Sequence, residues 1–468
     1  MKKLLSAAFV TLALAACTTT ENTHVISSDN AIAISALNST PKNIIMIVGD
    51  GMGPAYTTAY RYFNDNPNTE IVEQTVFDRL LVGMSSTYPA RVSGYVTDSA
   101  AAATALSTGV KSYNGAIGLD VDKKSVETVL EWAKKQGKKT GVVVTSQVNH
   151  ATPASYLTHN ESRQNYNAIA DSYIDEGIKA DVILGGGWQY FIRDDRNLVD
   201  EFQSAGFHYI DNPKDLNVLP KQKPILGLFA DAGLSGALDD ANKFRLSAMT
   251  KAATKQLEND KGYFLLVEAS QIDWAGHSND IASAMAEMAD LAKTVEYLEH
   301  YVEKNPDTLV VITADHSTGG LSVAANGKYE WNPEILWTMA QSPQKIADQL
   351  AVSTITIKEA SNLLNFDVTS EEVTLLQQTK DKASQQLVNF NALNEKNQKG
   401  LTKPSIEKAL NTTIKKIIDI RTNTGWTSGG HTAIDVPVFA FGQNSKLFTG
   451  NIDNTDIAKK IFKLLGKK

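Results

Sequence analysis

Six short apolar runs punctuate the chain: Ile44-Ile45-Met46-Ile47-Val48, Val142-Val143-Val144, Val182-Ile183-Leu184, Phe264-Leu265-Leu266-Val267, Leu309-Val310-Val311-Ile312 and Val436-Pro437-Val438-Phe439-Ala440-Phe441. Runs without polar alternation suit strands buried on both faces, as in a parallel sheet. Between the first two, Val126, Val129, Leu130 and Ala133 fall at helical spacing, with Ser125 as the cap and Gly137 as the stop. Met285–Leu298 has the same amphipathic spacing. The alternation predicts an α/β fold: a central, mostly parallel sheet with helices on both faces.

Residues 322–425 break this rhythm. They are polar, helix-prone and rich in Gln, Asn, Lys and Glu, without a strand run of comparable strength. The segment is expected to be an insertion before the last strand, forming a crown, interface or lid. Trp331 and Trp337 within it are assigned to packing. The division expected is thus a leader (1–17), a polar tether (18–40) and a single domain (41–468) containing the insertion.

Composition narrows the picture further. The 468 residues are 42% hydrophobic and 21% charged, which is globular and excludes a disordered or fibrous chain. A net charge of −7 gives no basic footprint for nucleic acid. The one cysteine, Cys17, rules out an intramolecular disulfide and a Cys-based zinc site. Any metal must therefore be held by Asp, Glu and the eight His.

Residues 1–17 read as a short basic start followed by an apolar stretch too short to span a bilayer. The ending Leu14-Ala15-Ala16-Cys17 resembles a bacterial lipobox, in which the cysteine becomes the lipidated first residue. The expectation is an exported, periplasmic protein anchored to the outer membrane through Cys17. Thr18 rather than Asp after the cysteine favours the outer membrane.

Polar residues gather where the strand runs end, the place where open α/β sheets bind ligands. The first run leads into Gly49-Asp50-Gly51-Met52-Gly53. The fourth ends at Glu268, followed by Asp273 and His277, whose spacing of four places them on one helical face. The fifth leads into Asp315-His316, and Gly429-Gly430-His431 precedes the last. A lone Asp or His at such a place is more often a cap or a structural hydrogen bonder. Convergence of four strands on one end supplies ligands for more than one ion, zinc for mixed carboxylate and imidazole sets and magnesium for oxygen sets. Two such ions can clamp an in-line displacement at phosphorus.

Ser99 stands before Ala100-Ala101-Ala102-Ala103, a strong helix former, so its hydroxyl meets the free amides of a helix N-terminus. It is either a nucleophile or a plain cap. Arg163, shortly after Asn149-His150-Ala151-Thr152-Pro153, offers a fork for two phosphate oxygens or is a surface arginine.

Together these segments closely resemble the alkaline phosphatase family: Gly49 to Gly53, Thr97-Asp98-Ser99-Ala100, His150 to Ala154 with Arg163, Glu268 to His277, Thr313-Ala314-Asp315-His316 and Ser428-Gly429-Gly430-His431. They follow the family order over residues 40–320 and 426–445. The resemblance implies that Ser99 is the nucleophile and becomes phosphoserine. It implies a zinc on Asp273, His277 and His431, a second zinc on Asp50, Asp315 and His316, and a magnesium on Asp50, Thr152 and Glu268. Arg163 would clamp the phosphoryl group, with Trp274 and His150 beside the substrate. Other members carry Asp and Lys where this chain has His150 and Trp274, so zinc as well as magnesium suits the third site. The substrates implied are small phosphate monoesters, and the assembly expected is a homodimer.

Rival readings fit less well. A sulfatase needs Cys or Ser in a Cys/Ser-x-Pro-x-Arg setting, whereas Ser99 is followed by alanines. A phosphodiesterase of this fold is expected to lack the third metal site, and Thr152 and Glu268 are both present. A non-enzymatic phosphate- or metal-binding lipoprotein has no need of the nucleophile or the arginine. His24, His159, His208 and His300 are expected to be exposed or structural.

Overall fold

The computed structural model describes residues 40–467. The leader, most of the tether, Cys17 and His24 lie outside the described residues. In chain order the strands are β1 (Asn43–Gly49), β2 (Leu81–Ser86), β3 (Lys139–Gln147), β4 (Val182–Gly186), β5 (His208–Ile210), β6 (Ile225–Leu228) and β7 (Tyr263–Ala269). They continue with β8 (Thr308–Thr313), β9 (Ser317–Thr318), β10 (Ser322–Val323), β11 (Thr424–Gly425), β12 (His431–Thr432), β13 (Val436–Gly442) and β14 (Gly450–Asp453).

Ten of them form one sheet in the order β14-β2-β13-β8-β1-β7-β3-β4-β6-β5. β1 is the fifth of the ten strands, flanked by its parallel neighbours β7 and β8, with Val48 opposite both Glu268 and Thr313. Every residue of β1, β7 and β8 is buried. Side chains alternate between two cores: Ile45, Ile47, Leu265 and Val267 face one, while Ile44, Met46, Val48, Phe264 and Leu266 face the other. Helices therefore cover both faces, and unbroken apolar runs are the sequence record of that double burial.

The six apolar runs all form sheet strands, but the last does not run parallel. β13 is antiparallel to both β8 and β2. Nor does it end the sheet, because β14 follows and pairs parallel with β2. Hydropathy reports burial and carries no information on direction. β2, β5, β6 and β14 escape the hydropathy pattern for local reasons. β6 reads Ile-Leu-Gly-Leu, and a Cβ on Gly227 would lie 2.7 Å from the side chains of both Leu184 and Phe229. In β2 a Cβ on Gly83 would lie 2.0 Å from the Gly450 carbonyl oxygen, so the glycine that weakens the pattern is what lets β14 approach.

The helix predicted after Ser125 begins later, at Val129, and runs to Lys135. Its cap is Thr128, whose hydroxyl accepts from the Glu131 N–H at 3.1 Å while Glu131 accepts from the Thr128 N–H at 2.9 Å. Gly137 does stop it, at φ 77°. The helix predicted over 285–298 extends across Ile281–Lys304.

The segment 322–425 is helical, as its composition suggests, and β10 and β11 pair across its two ends. Trp331 packs against the core with its ring centroid 6.5 Å from that of Tyr62 and donates within the segment to the Thr424 hydroxyl at 2.9 Å, while Trp337 donates to the Phe63 carbonyl at 2.6 Å. Among the described residues no helix is long and apolar enough to cross a membrane.

The capping box makes a prediction. Thr128→Ala should cost about 1 kcal/mol or more in denaturant unfolding, because it removes the cap and a hydrogen bond to the Tyr156 carbonyl. Ser125→Ala, at an exposed residue, should change stability within about 0.5 kcal/mol. Equal costs for the two would show that Thr128 does not cap this helix.

Candidate active site

The carboxyl edge of the parallel strands carries the acids and imidazoles. Asp50 follows β1 directly, held by a turn in which Gly51 has φ 75°. A Cβ on Gly51 would sit 2.7 Å from the Asp273 Cα, so the turn admits only glycine. Glu268 is the second-last residue of β7, and Asp315-His316 follows β8. The helix Gln271–His277 brings Asp273 and His277 to one side, their closest atoms 3.4 Å apart. His431 arrives from the opposite chain direction. Because β13 is antiparallel, the residues before it lie at the carboxyl edge of its neighbours. Pairing of β12 with β9 sets His431 opposite Thr318.

Three groups of ligand-type residues result: Asp273, His277 and His431; Asp50, Asp315 and His316; and Asp50, His150 and Glu268. Within each, the candidate ligand atoms all lie within 4.8 Å of one another. Asp50 belongs to two of the groups. Thr152 is buried beside the third, and its hydroxyl has no hydrogen-bond partner among the described residues. His150, which the resemblance sets beside the substrate and near the third site, falls in the third group.

Hydrogen bonding sets the tautomers. His277 Nδ1 donates to the Gly429 carbonyl at 2.8 Å and His431 Nδ1 donates to the Thr97 carbonyl at 2.9 Å. A carbonyl only accepts, so both protons sit on Nδ1 and both Nε2 lone pairs point inward. These two Nε2 atoms are 3.0 Å apart, an arrangement that asks for a cation between them. Thr318 donates to Asp273 Oδ1 and so accepts from His316 Nδ1, at 3.2 Å. His316 Nε2 then faces Asp315 at 3.1 Å, Asp50 at 3.5 Å and Ser99 Oγ at 3.1 Å. Thr318 was not among the residues singled out from sequence, although it stands two positions after His316.

The electrostatics carry the same message. Both oxygens of Asp50, Oε1 of Glu268 and Oδ2 of Asp315 are buried without a hydrogen bond. Such groups are costly unless a positive charge compensates them. Burial, with the carboxylates of Asp315, Asp273 and Glu268 nearby, pushes Asp50 well above the usual carboxylate range. Burial raises Glu268 to about 7. Burial also works to raise Asp315, but His316 and the Gly51 N–H outweigh it and hold Asp315 low. His316 is raised, because Asp315 and Asp273 outweigh its burial. His431 is held at about 4 by burial and by His316, and His150 at about 3 by burial and by Arg163. The donor sets fit cations: carboxylate with imidazole in two groups, and carboxylates with a hydroxyl and an imidazole in the third.

Ser99 opens the helix Ser99–Thr108, whose every residue is buried. Its N-cap is Asp98, which accepts from the Ala101 N–H at 2.9 Å. Capping and nucleophile placement are thus divided between neighbours. The other oxygen of Asp98 accepts from Arg163 Nη1 at 3.2 Å and from the Gly115 N–H at 3.0 Å. Arg163 Nη2 donates to His150 Nε2 at 3.2 Å, so the guanidinium is oriented from two sides. The Trp274 ring stands edge-on to His150, at 6.1 Å between centroids. Every site residue predicted from sequence within residues 40–467 lies in this one region. His159 instead makes a structural contact to the Val126 carbonyl, and His208 and His300 are exposed.

Comparison with known proteins supplies the frame for this geometry. The alkaline phosphatase family model matches residues 41–467. Alkaline phosphatase 3 of Bacillus subtilis is 47% identical over 430 residues, covering 91% of this chain and 89% of its own. The repressible alkaline phosphatase of Saccharomyces cerevisiae is 31% identical, covering 92% and 82%. Among solved structures, a cold-active alkaline phosphatase from a psychrophilic Shewanella sp. superposes with a TM-score of 0.82 at 50% identity, covering 90% of this chain and 99% of that one. The Thermus thermophilus alkaline phosphatase gives 0.75 at 26% identity, with 96% of each covered. The chain therefore belongs to the alkaline phosphatase family, enzymes that hydrolyse phosphate monoesters.

Proposed function

We propose that the chain hydrolyses a broad range of small organic phosphomonoesters through a phosphoserine at Ser99, with two zinc ions and a magnesium. The observation that carries this reading is the junction of Ser99 with the acid cluster: its Oγ is 3.1 Å from His316 Nε2, at the N-terminus of a buried helix. Asp273, His277 and His431 would hold one zinc, and Asp50, Asp315 and His316 the other. Asp50, Glu268 and Thr152 would hold the magnesium, with His150 making zinc an acceptable alternative there. Structures of TAB5 alkaline phosphatase in which a histidine is replaced by glutamate or aspartate carry Mg in a site called M3. That protein is 26% identical to this chain, and its histidine supports the idea that an imidazole bears on the choice of third metal.

When bound, the cations act as Lewis acids on the phosphoryl, attacking and leaving oxygens. The protein's own part follows from its side chains. Ser99 Oγ attacks phosphorus, the ester oxygen departs as the alcohol, and water then displaces the serine in the reverse direction. The free amides at the start of the Ser99–Thr108 helix favour the anionic oxygens. Arg163, oriented by Asp98 and His150, takes two phosphoryl oxygens without moving, so its contribution needs no reorganisation as charge develops. Trp274 and His150 form the wall next to the substrate.

Residues 41–468 would be one catalytic domain, with 322–425 forming a crown or a homodimer interface. Cys17 would carry the lipid, 18–40 the tether, and the enzyme would work in the periplasm, anchored to the outer membrane.

The decisive experiment is turnover of a chromogenic phosphate monoester by the purified protein, beside the matching diester and sulfate ester, with and without chelator. Chelator-sensitive turnover of the monoester should exceed the others by orders of magnitude. A preference for the diester would move the enzyme to a neighbouring activity, and no turnover of any ester by metal-replete protein would favour a binding role. Ser99→Ala should abolish the phosphoenzyme while metal content, read by mass spectrometry, stays unchanged. Loss of zinc in that variant would make Ser99 structural.

Removing the cations should cost more stability at high pH. Glu268, raised from 4.5 to about 7, contributes stability present below 4.5 and lost as pH rises through 7. The raised His316 loses its contribution in the same direction. His150 and His431, both held low, oppose this only near pH 6.5, where their unfolded imidazoles are half-protonated, and no longer by about 8, while Asp50, raised well above its ordinary value, adds to the loss. From pH 6.5 to about 8 the stripped protein should therefore lose stability, and added zinc and magnesium should raise Tm more at about pH 8 than at 6.5. An equal rise at both would contradict the raised carboxyls.

A further inference from the structure

Away from the acid cluster, a cavity of about 520 Å³ lies between the Pro213–Asn217 turn, the loop after β6 and the helix Arg245–Leu257. None of its lining residues belongs to the three ligand groups. Its apolar surface comes from Leu216, Phe229, Leu234 and Met249. A second hollow of about 310 Å³ shares Leu216, Asn217, Ala252 and Lys255 with it and lengthens the groove along the same helix.

The charge around this hollow runs against that of the whole protein. The chain carries −7, yet Lys214, Lys251 and Lys255 line the cavity against a single lining acid, Asp240. The spacing of Lys251 and Lys255 puts both on one helical face. None of the three ammonium groups has a hydrogen bond or ion pair among the described residues, so each is free to meet an anion. Arg245 also lines the cavity. It is 5% exposed, and its Nη atoms are held by Glu287 at 2.8 Å and Asp290 at 3.3 Å. Its Nε is buried with no hydrogen bond. Those two carboxyl groups more than offset the single guanidinium, so attraction for an anion rests on the lysines alone. The volume falls within the range of small-molecule sites, and a lining divided almost evenly between apolar and polar residues suits a ligand with a charged group and an apolar body.

We propose that this cavity binds a small amphipathic anion, its charged group at Lys214, Lys251 and Lys255 and its aromatic or aliphatic body against Leu216, Phe229, Leu234 and Met249. The site is separate from the catalytic centre and does not rest on the roles proposed there.

The probe for this is 1-naphthalenesulfonate, titrated into the metal-loaded protein by fluorescence with inorganic phosphate in excess, so that the anion site beside Ser99 is filled. One saturable site is expected. Ala252→Trp, which fills the groove, and the double change Lys251→Glu with Lys255→Glu should each weaken binding at least about tenfold, with monoester turnover unchanged. The uncharged analogue 1-naphthalenemethanol and the small anion methanesulfonate should each bind at least about tenfold more weakly than the probe. Should Ala252→Trp fail to fold, the exposed lysine pair decides alone. Absence of saturable binding up to about 1 mM, or binding that survives the lysine changes, overturns the proposal.

Discussion

Asp50 is the constraint around which the molecule is organised. It sits at the tip of the central strand, fully buried, with neither oxygen hydrogen-bonded and three other carboxylates close enough to raise its pKa. A carboxyl group so placed takes up a proton unless a cation compensates its charge. The elements that would stabilise such an ion are the ones adjoining it: β7 with Glu268, β8 with Asp315 and His316, and the helix carrying Asp273 and His277. Packing in the sheet therefore does more than bury apolar surface. It brings acidic strand ends together at a spacing that suits bound cations.

The same economy appears in the residues that orient the centre. Asp98 caps one helix and grips Arg163. Thr318 donates to Asp273 and accepts from His316, joining two ligand groups through one hydroxyl. The carbonyls of Gly429 and Thr97 set the imidazole tautomers of His277 and His431. These contacts fix which nitrogen lone pairs face inward, and a metal centre depends on that as much as on the ligands themselves.

Much of the site was legible from spacing, because ligands that follow strands inherit the position of the strand end. Asp50, Glu268 and Asp315 could be placed at one edge once β1, β7 and β8 were recognised as buried runs. The family resemblance places His431 at that edge, although a residue preceding a parallel strand would lie at the opposite end. The antiparallel direction of β13 is what makes the assignment consistent. The bond between Arg163 and His150 had no local signal, because it joins two segments turned by a loop, whereas the nearness of His150 to Asp50 and Glu268 follows from its place two residues before Thr152.

By itself, the sequence determined which strands are buried on both faces, where the chain turns, and which residue types stand at the strand ends. Those features are local: hydropathy period, glycine and capping chemistry act within a few positions. Tertiary structure alone decided the direction of β13, the presence of β2 and β14 beyond it and the protonation of each imidazole. These depend on partners far away in sequence, and an apolar run reports that it will be buried without naming the neighbour that buries it.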